Sequence, residues 1–213
     1  MPELNFQVEG VEVARYAAAP LLLFKLRVSN TAPADDIENV ALQCQIQIET
    51  TRRAYTPAEQ SQLFELYGEP ERWDTTLRTL LWTHANVTVP SFEDSFLLDL
   101  PVPCTFDFNV AAAKYFYGLD DGEVPVLLLF SGSIFYRGAS GTLQVGQISW
   151  NKEAGFKLPV KVWKDMMAHY YPNGAWLCLG KDVFDRLYQY KIHGSFPTWE
   201  RALETLLGSS SNR

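Results

Sequence analysis

A ten-residue stretch in the first half of the chain has a large apolar side chain or a cysteine at every second position and, after Ala41, a polar side chain between them. In Val40–Glu49 (VALQCQIQIE) every second residue is apolar, and the positions between them include Gln43, Gln45 and Gln47. A period of two predicts a β-strand with one dry face and one wet face. The wet face is polar but nearly uncharged. It is read either as ordinary solvent exposure, the favoured interpretation, or as a binding face for a protein or glycan.

The densest apolar run in the chain is Gly122–Arg137 (GEVPVLLLFSGSIFYR). A run with apolar side chains on both faces predicts a strand at the centre of a sheet. Ser131-Gly132-Ser133 interrupts it. The sequence is not GxSxG, so a nucleophile elbow is not indicated. Gly132 is instead expected to mark a bulge or a close backbone contact.

Shorter stretches of the same kind lie on both sides of these two strands. Alternation or proline-bounded apolar runs predict strands at Leu4–Val8, Pro20–Ser29, Ser95–Leu100 and Thr142–Trp150. A helical insertion is predicted at about residues 56–82. It begins with a capping box, in which Thr56 is followed by Pro57 at the first helical position and by Glu59.

The pattern changes after residue 150. Apolar residues at helical spacing predict helices at Val162–Tyr171, Val183–Lys191 and Trp199–Leu207. The predicted fold class is therefore mainly β (α+β): an antiparallel β-sandwich over residues 1–150, with inserted helices. An α-rich C-terminal segment over residues 151–213 is expected to pack on the sandwich.

Composition and net charge argue against some classes of binding partner. The chain has 213 residues, of which 47% are apolar, and a net charge of -7. The acidic balance argues against nucleic acid and against an anionic membrane surface as partners. No apolar run reaches the length of a membrane span, and the first residues do not resemble a signal peptide. The three cysteines (Cys44, Cys104 and Cys178) are expected to be buried reduced thiols, and a cytoplasmic location is predicted.

Few residues in the sequence suggest a catalytic, cofactor-binding or metal-binding role. The sequence has no HExxH, CxxC, GxGxxG or GxxxxGK[ST] motif, so no cofactor and no local metal site are predicted. A site assembled from distant segments would draw first on His84, Cys104, Asp107 and His169. Asp165 precedes His169 by one helical turn, which more often means a surface contact than a catalytic pair.

Candidate contact residues for a protein partner are also few. The Gln-rich face supplies Gln43, Gln45 and Gln47. Arg52 and Arg53, which follow that strand, are the basic pair expected to be most exposed, with protection of a sheet edge as the alternative. The six tryptophans lie beside apolar neighbours, so roles in the core or in helix packing are expected.

Several segments together resemble a known family. These are IQIETTRR (Ile46–Arg53), LLWTH (Leu80–His84), PCTFDF (Pro103–Phe108), the central run, and FPTWERALETLL (Phe196–Leu207). They resemble an uncharacterised bacterial family, a domain of unknown function often encoded near nickel–iron hydrogenase genes. The resemblance covers nearly the whole chain and implies a cytoplasmic accessory role beside a redox enzyme. Its motifs are apolar and aromatic, so it implies a shared fold and transfers no catalytic residue.

Three functions are compatible with these observations. The first is a non-enzymatic binding or assembly protein that acts through a sheet face or edge and has a protein, hydrogenase-related, as partner. The second is a chaperone-like holder of unfolded chains with an apolar groove. The third is an enzyme or metal-handling protein with a site built from distant residues. The absence of a catalytic motif favours the first and argues against an enzyme.

Overall fold

A computed structural model describes residues 2–32, 36–105, 110–138, 141–174 and 177–210. Within these residues the chain forms eight β-strands. In order they are β1 (Leu4–Val13), β2 (Leu21–Asn30), β3 (Asp36–Ile48), β4 (Leu80–Val89), β5 (Ser95–Pro103), β6 (Glu123–Arg137), β7 (Leu143–Gln147) and β8 (Glu153–Pro159).

The strands form two antiparallel sheets. The three-stranded sheet has the order β1-β2-β5. The five-stranded sheet has the order β4-β3-β6-β7, and β8 also pairs with β6. One side of β6 pairs with β3 along most of its length. The other side pairs first with β8 and then with β7, so β6 lies at the centre of the sheet, as its apolar sequence predicts.

The core lies between the two sheets. The apolar positions of β3 are buried, and their neighbours point to the outer face, as the period of two predicts. Aromatic side chains join the sheets: the rings of Phe6 and Phe130 stack with centroids 4.2 Å apart, and Phe24 packs edge-on against Trp82 and Phe156. The prediction of a mainly β, antiparallel sandwich with helices is confirmed.

Seven α-helices accompany the strands in the described residues. They are α1 (Pro57–Gln62), α2 (Phe64–Tyr67), α3 (Trp73–Thr76), α4 (Val110–Tyr117), α5 (Val160–Tyr170), α6 (Lys181–His193) and α7 (Trp199–Ser210). The capping box at the start of α1 is confirmed, because Thr56 and Glu59 each bond the other's backbone N–H. The ring of Phe116 on α4 stacks on Trp163 of α5 and also contacts Trp82 of β4, so these two helices extend the sandwich core.

The chain divides into two compact units, residues 1–174 and 175–213. Strand β8 and helix α5, at the start of the predicted C-terminal segment, belong to the first unit. In the second unit α6 and α7 pack together through Phe184, Tyr188 and Trp199, whose ring centroids lie 5.8–6.2 Å apart. Packing of residues 175–213 on the sandwich stays a prediction.

The region between β3 and β4 is less helical than its pattern suggests. The last helix of the insertion, α3, ends at Thr76, and β4 begins at Leu80. Leu80 and Leu81 continue the helical spacing of Trp73 and Leu77 in the sequence. Pairing with β3 places them in a strand instead, because tertiary hydrogen bonding overrides a short local pattern.

None of the described helices combines the length and the apolar character that a bilayer-spanning helix needs.

Candidate functional site

The outer face of the five-stranded sheet gathers polar side chains from four strands. The register places Gln43 of β3 between Asn86 of β4 and Ser131 of β6. One row further along the sheet, Gln45 lies between His84 and Leu129. Residues that share a row on one face are near neighbours. The glutamines singled out from the sequence are therefore part of a wider polar face.

The centre of this face is a shallow depression of about 560 Å³, which we call the polar depression. It is lined by Ala41, Leu42, Gln43, Asn86, Val87, Thr88, Ser131, Gly132, Ser133 and Gln147. None of these residues carries a charge. The depression exists because the middle of the sheet carries small residues there, Ala41 on β3 and the Ser-Gly-Ser segment on β6.

Gly132 allows the two central strands to approach closely. It has a φ of +138°, and a Cβ at this position would lie 2.0 Å from the carbonyl oxygen of Ala41. The pairing of β6 with β3 runs through Gly132 without a register shift. Of the two expectations for this residue, the close backbone contact is correct and the bulge is wrong.

Most hydrogen-bonding side chains of the polar depression have no hydrogen-bond partner among the described residues. The amide of Gln147 donates to the hydroxyl of Ser133 at 3.1 Å. Over the described part of the chain, no side-chain hydrogen bond is formed by Gln43, Asn86, Thr88 or Ser131. Amides and hydroxyls both donate and accept, so the depression offers several bonds to an uncharged polar ligand or to a peptide backbone.

The outer face of the three-stranded sheet is different. There Lys25 of β2 contacts the carboxylates of Glu12 and Asp99 on the two flanking strands, the second at 2.7 Å. Arg27 pairs with Glu9 in the same way. Its charges are thus paired within the face, whereas the five-stranded sheet presents neutral and largely unpaired groups at its centre.

A loop with an exposed tryptophan borders the polar depression. Between β7 and β8 the chain leaves β6: the N–H of Ile148 bonds the carbonyl of Gly132, and the N–H of Phe130 bonds the carbonyl of Lys152. The loop between these bonds contains Trp150, which is 93% exposed. The expectation that every tryptophan lies in the core or in helix packing is wrong for Trp150. A tryptophan at the edge of a polar face is typical of contact surfaces.

The four residues proposed for a site built from distant segments lie in separate settings. His84 is exposed on the outer face of β4, Cys104 is buried at the end of β5, and His169 is exposed on α5. Asp107 lies outside the described residues. The Nε2 atom of His169 is 3.1 Å from the carbonyl oxygen of Arg15. Asp165 pairs with Lys161 at 2.6 Å.

No group of three or more His, Cys, Asp or Glu side chains comes together as metal ligands in the described ranges.

The cysteines give a direct check on burial. Cys44 and Cys104 are buried, and burial raises the pKa of each thiol to about 12. Cys178 is exposed, which corrects the expectation that all three are buried.

We expect a thiol-specific colorimetric reagent to modify Cys178 alone in the native protein at neutral pH, and Cys44 and Cys104 only after denaturation. A raised pKa keeps the buried thiols protonated, so Cys44 and Cys104 should remain unmodified in the native protein even at about pH 9.

Cys178→Ser is the control for this experiment. It should abolish the rapid reaction of the native protein and leave two reactive thiols in denaturant. Rapid modification of two or more thiols in the native wild-type protein would contradict the burial of Cys44 and Cys104.

The two arginines proposed as contacts differ from each other. Arg52 is exposed and pairs with Glu49 at 3.1 Å. The side chain of Arg53 is only 10% exposed and forms an ion pair with Glu59, which is 2% exposed. Arg53 is therefore part of the interior, and the expectation of an exposed basic pair is wrong for it. Arg53 also donates to the carbonyls of Asp121 and Glu123 from a distant segment, which the local sequence does not show.

Other polar residues on the outer face of the five-stranded sheet could not be predicted as part of a site, because they too come together only in the folded chain. The Ser131-Gly132-Ser133 segment was predicted only as a bulge or a close backbone contact, and no role in binding a partner was predicted for Asn86, Thr88 or Gln147. Each has an ordinary strand sequence around it, and only the strand order makes them neighbours. The one available signal is that Ser131 and Ser133 interrupt an apolar run with small polar residues.

Comparison with protein families shows the family to which the chain belongs. The model of a family of unknown function (DUF6084) matches residues 1–213. The chain belongs to this family. No curated protein sequence matches it.

Comparison of this DUF6084 chain with solved structures gives weak matches. A late embryogenesis abundant (LEA) protein, studied in solution, is 15% identical, with 75% of this chain and 73% of that chain covered and a TM-score of 0.33. β-Glucosidase 3B from Thermotoga neapolitana, in complex with α-D-glucose, is 12% identical, with 73% of this chain and 17% of that chain covered and a TM-score of 0.26. Likenesses this weak carry no conclusion about function.

Proposed function

We propose that this protein is a non-enzymatic binding protein, which recognises a partner protein through the outer face of the five-stranded sheet. The observation that carries the proposal is the polar depression: uncharged amide and hydroxyl side chains lie together there, and apart from the bond between Gln147 and Ser133 they have no side-chain hydrogen-bond partners among the described residues. A protein surface supplies the matching donors and acceptors from its own backbone and side chains.

The surroundings of the polar depression support the same function. Exposed Trp150 lies on the loop beside it, and Leu143 and Val145 on β7 are 54% and 57% exposed. Aromatic and apolar groups next to unused hydrogen-bonding groups resemble the composition of protein interfaces, where the core is poor in charge. The paired charges on the opposite sheet give that face no comparable capacity.

We place the protein in the cytoplasm of a bacterium, as an accessory to assembly of a redox complex of the hydrogenase type. Support for this part comes from the resemblance described for the sequence, and from cysteines without disulfide bonds. Gene neighbourhood is an association, so hydrogenase subunits are the first partners to test.

A matched pair of variants tests the binding face. Gln43→Lys places a charge in the polar depression, whereas Gln7→Lys places the same charge on the exposed outer face of β1. With the immobilised protein and an extract of the native host, we expect Gln43→Lys to lower partner recovery about tenfold or more. The reason is that a lysine buried in an interface without a counter-charge costs several kcal/mol. Quantitative mass spectrometry of the retained proteins is the measurement.

Gln7→Lys should retain the partner at the wild-type level. The proposal fails when no protein is reproducibly retained, or when both variants retain it equally. A reproducible partner unrelated to hydrogenases would remove the hydrogenase part and leave the binding function standing.

A further inference from the structure

Strand β7 has an edge that no described strand pairs with. One side of β7 bonds to β6 over its whole length. The other end strands of the two sheets lie side by side, β4 next to β5 and β1 next to β8. Open edges offer rows of unpaired backbone groups to an incoming strand. Of the edges described, β7 is thus the one most available to another chain.

The hydrogen bonds around β7 show which backbone groups are unpaired. The N–H of Ile148 donates to the carbonyl of Gly132 on β6, and the carbonyl of Thr142 accepts from the N–H of Gly138, the residue that follows β6. Because direction alternates along a strand, Gln144 and Gly146 also point toward β6. The N–H and C=O groups of Leu143, Val145 and Gln147 therefore point away from the sheet. Six backbone groups are available along a segment that spans about 17 Å.

The β7 edge lacks the usual protection against strand addition. Natural edges are blocked by lysines, prolines, bulges or inward charges. Strand β5 has Pro101 and Pro103, and β1 has a register shift between Val8 and Gly10. The sequence of β7, LQVGQ, has no charge, no proline and no register shift in its pairing with β6.

The side chains of β7 define the chemistry of the incoming segment. Leu143 and Val145 project on the outer face and are more than half exposed, and Val145 lies next to Phe135 of β6. Gln147 continues the row into the polar depression. Apolar side chains at alternate positions of an added strand would pack against Leu143 and Val145, since cross-strand neighbours on one face are in contact.

We propose that β7 binds an extended, uncharged peptide segment of the partner protein by strand addition, with apolar residues at alternate positions. This rests on the proposed function and names the element of the partner that is recognised. A second copy of the chain is the rival occupant. A stable dimer buries about 1,200–2,000 Å², which a five-residue edge does not provide, whereas short peptides are commonly bound by one sheet edge.

Proline at position 145 gives a direct test. The N–H of Val145 points to the open edge, so Val145→Pro removes a donor for the peptide and breaks no bond to β6. Val145→Thr keeps both the N–H and the β-branched shape and is the matched control. Far-UV circular dichroism and urea unfolding report whether each full-length variant keeps its fold.

The probe is a random-sequence peptide library displayed on phage and selected on the immobilised wild-type protein. Selected peptides are then synthesised, and their Kd values are measured. We expect Val145→Pro to weaken binding about tenfold or more, and Val145→Thr to change it less than about threefold. In wild-type protein the peptide should slow hydrogen exchange at Leu143, Val145 and Gln147, which keeps the test valid when the proline variant folds poorly.

Three results of the peptide and oligomerisation experiments would overturn the inference. The first is a library without enriched peptides. The second is enriched peptides that leave exchange at β7 unchanged. The third is a concentration-dependent dimer, lost in Val145→Pro, which would assign the edge to a second copy. When Gln43→Lys abolishes capture of the natural partner and Val145→Pro does not, the proposed function stands and strand addition fails. When the extract yields no partner for wild-type protein, the proposed function itself fails.

Discussion

Replacing Glu59 with alanine should lower the free energy of unfolding by about 3–5 kcal/mol. The carboxylate of Glu59 is buried, pairs with the guanidinium of Arg53, and accepts the backbone N–H groups of Thr56 at 2.9 Å and Asp120 at 3.0 Å. The substitution leaves a largely buried arginine without its counter-charge, and two N–H groups without their acceptor. Urea denaturation of the two proteins, followed by tryptophan fluorescence, measures the difference.

The same ion pair connects elements that are distant in the chain. Arg53 also donates to the carbonyl of Asp121 at 2.7 Å and to that of Glu123 at 3.3 Å. Asp121 and Glu123 lead into β6, while Glu59 belongs to α1. The pair therefore attaches the helical insertion to the start of the central strand, and its loss weakens both. Typical domains are stable by about 5–15 kcal/mol, so a large share of the total depends on it.

Glu65→Ala is the control. Glu65 lies on α2, near Glu59 in the sequence, and pairs with Lys114, but its side chain is 72% exposed. An exposed pair contributes about 0–1 kcal/mol, because water screens the charges and ordering the side chains costs entropy. Equal losses for Glu59→Ala and Glu65→Ala would show that the Arg53–Glu59 pair is no better shielded from water than a surface pair.

The strands of the sandwich were predictable because burial alternates along each strand. The sequence of the strand therefore alternates between apolar and polar residues. Val40–Glu49 shows the period of two, and the structure buries the apolar positions as expected. The capping box of Thr56 and Glu59 was predictable for the same reason, since its parts lie three residues apart. The carboxylate of Glu59 both caps α1 and pairs with Arg53, however, and only the cap could be predicted from the sequence.

The composition of the candidate site was not predictable from local sequence. The polar depression combines β3, β4, β6 and β7, and its members become neighbours only through strand order and register. A shift of one residue in any strand would turn its polar side chains to the core. Gln43 was found because its own strand alternates clearly. Gln147 was not, because it belongs to a short strand of ordinary appearance.

Exposure of single residues was also not predictable. Cys178 has apolar neighbours in the sequence and Trp150 was expected in the core, but both are exposed, and Arg53 is a charged residue in the interior. Average preferences place tryptophan and cysteine inside and arginine outside. Exceptions depend on contacts between distant segments, such as the bonds from Arg53 to Asp121, just before β6, and to Glu123, its first residue.

Replacing Gly132 with alanine should destabilise the protein by about 3 kcal/mol or more. A φ of +138° costs an L-residue about 1–3 kcal/mol, and forcing a methyl group into packed structure costs about 1–3 kcal/mol further. The new Cβ would lie 2.0 Å from the carbonyl oxygen of Ala41, which is backbone of the neighbouring central strand and has no side-chain freedom with which to yield. Urea denaturation measures the loss, and a variant that does not accumulate as soluble protein is consistent with it.

Gly155→Ala separates this effect from the general effect of alanine in a strand. Gly155 lies on β8, paired with Leu127 of the same central strand β6, and an added Cβ there meets no atom within 4 Å. Alanine at such a position restricts the unfolded chain without strain, so the free energy of unfolding should change by less than about 1 kcal/mol. Equal stability of the two alanine variants would mean that β3 and β6 separate at little cost. In that case the Ser-Gly-Ser segment would be a flexible part of the face, and the polar depression would not be a fixed binding surface.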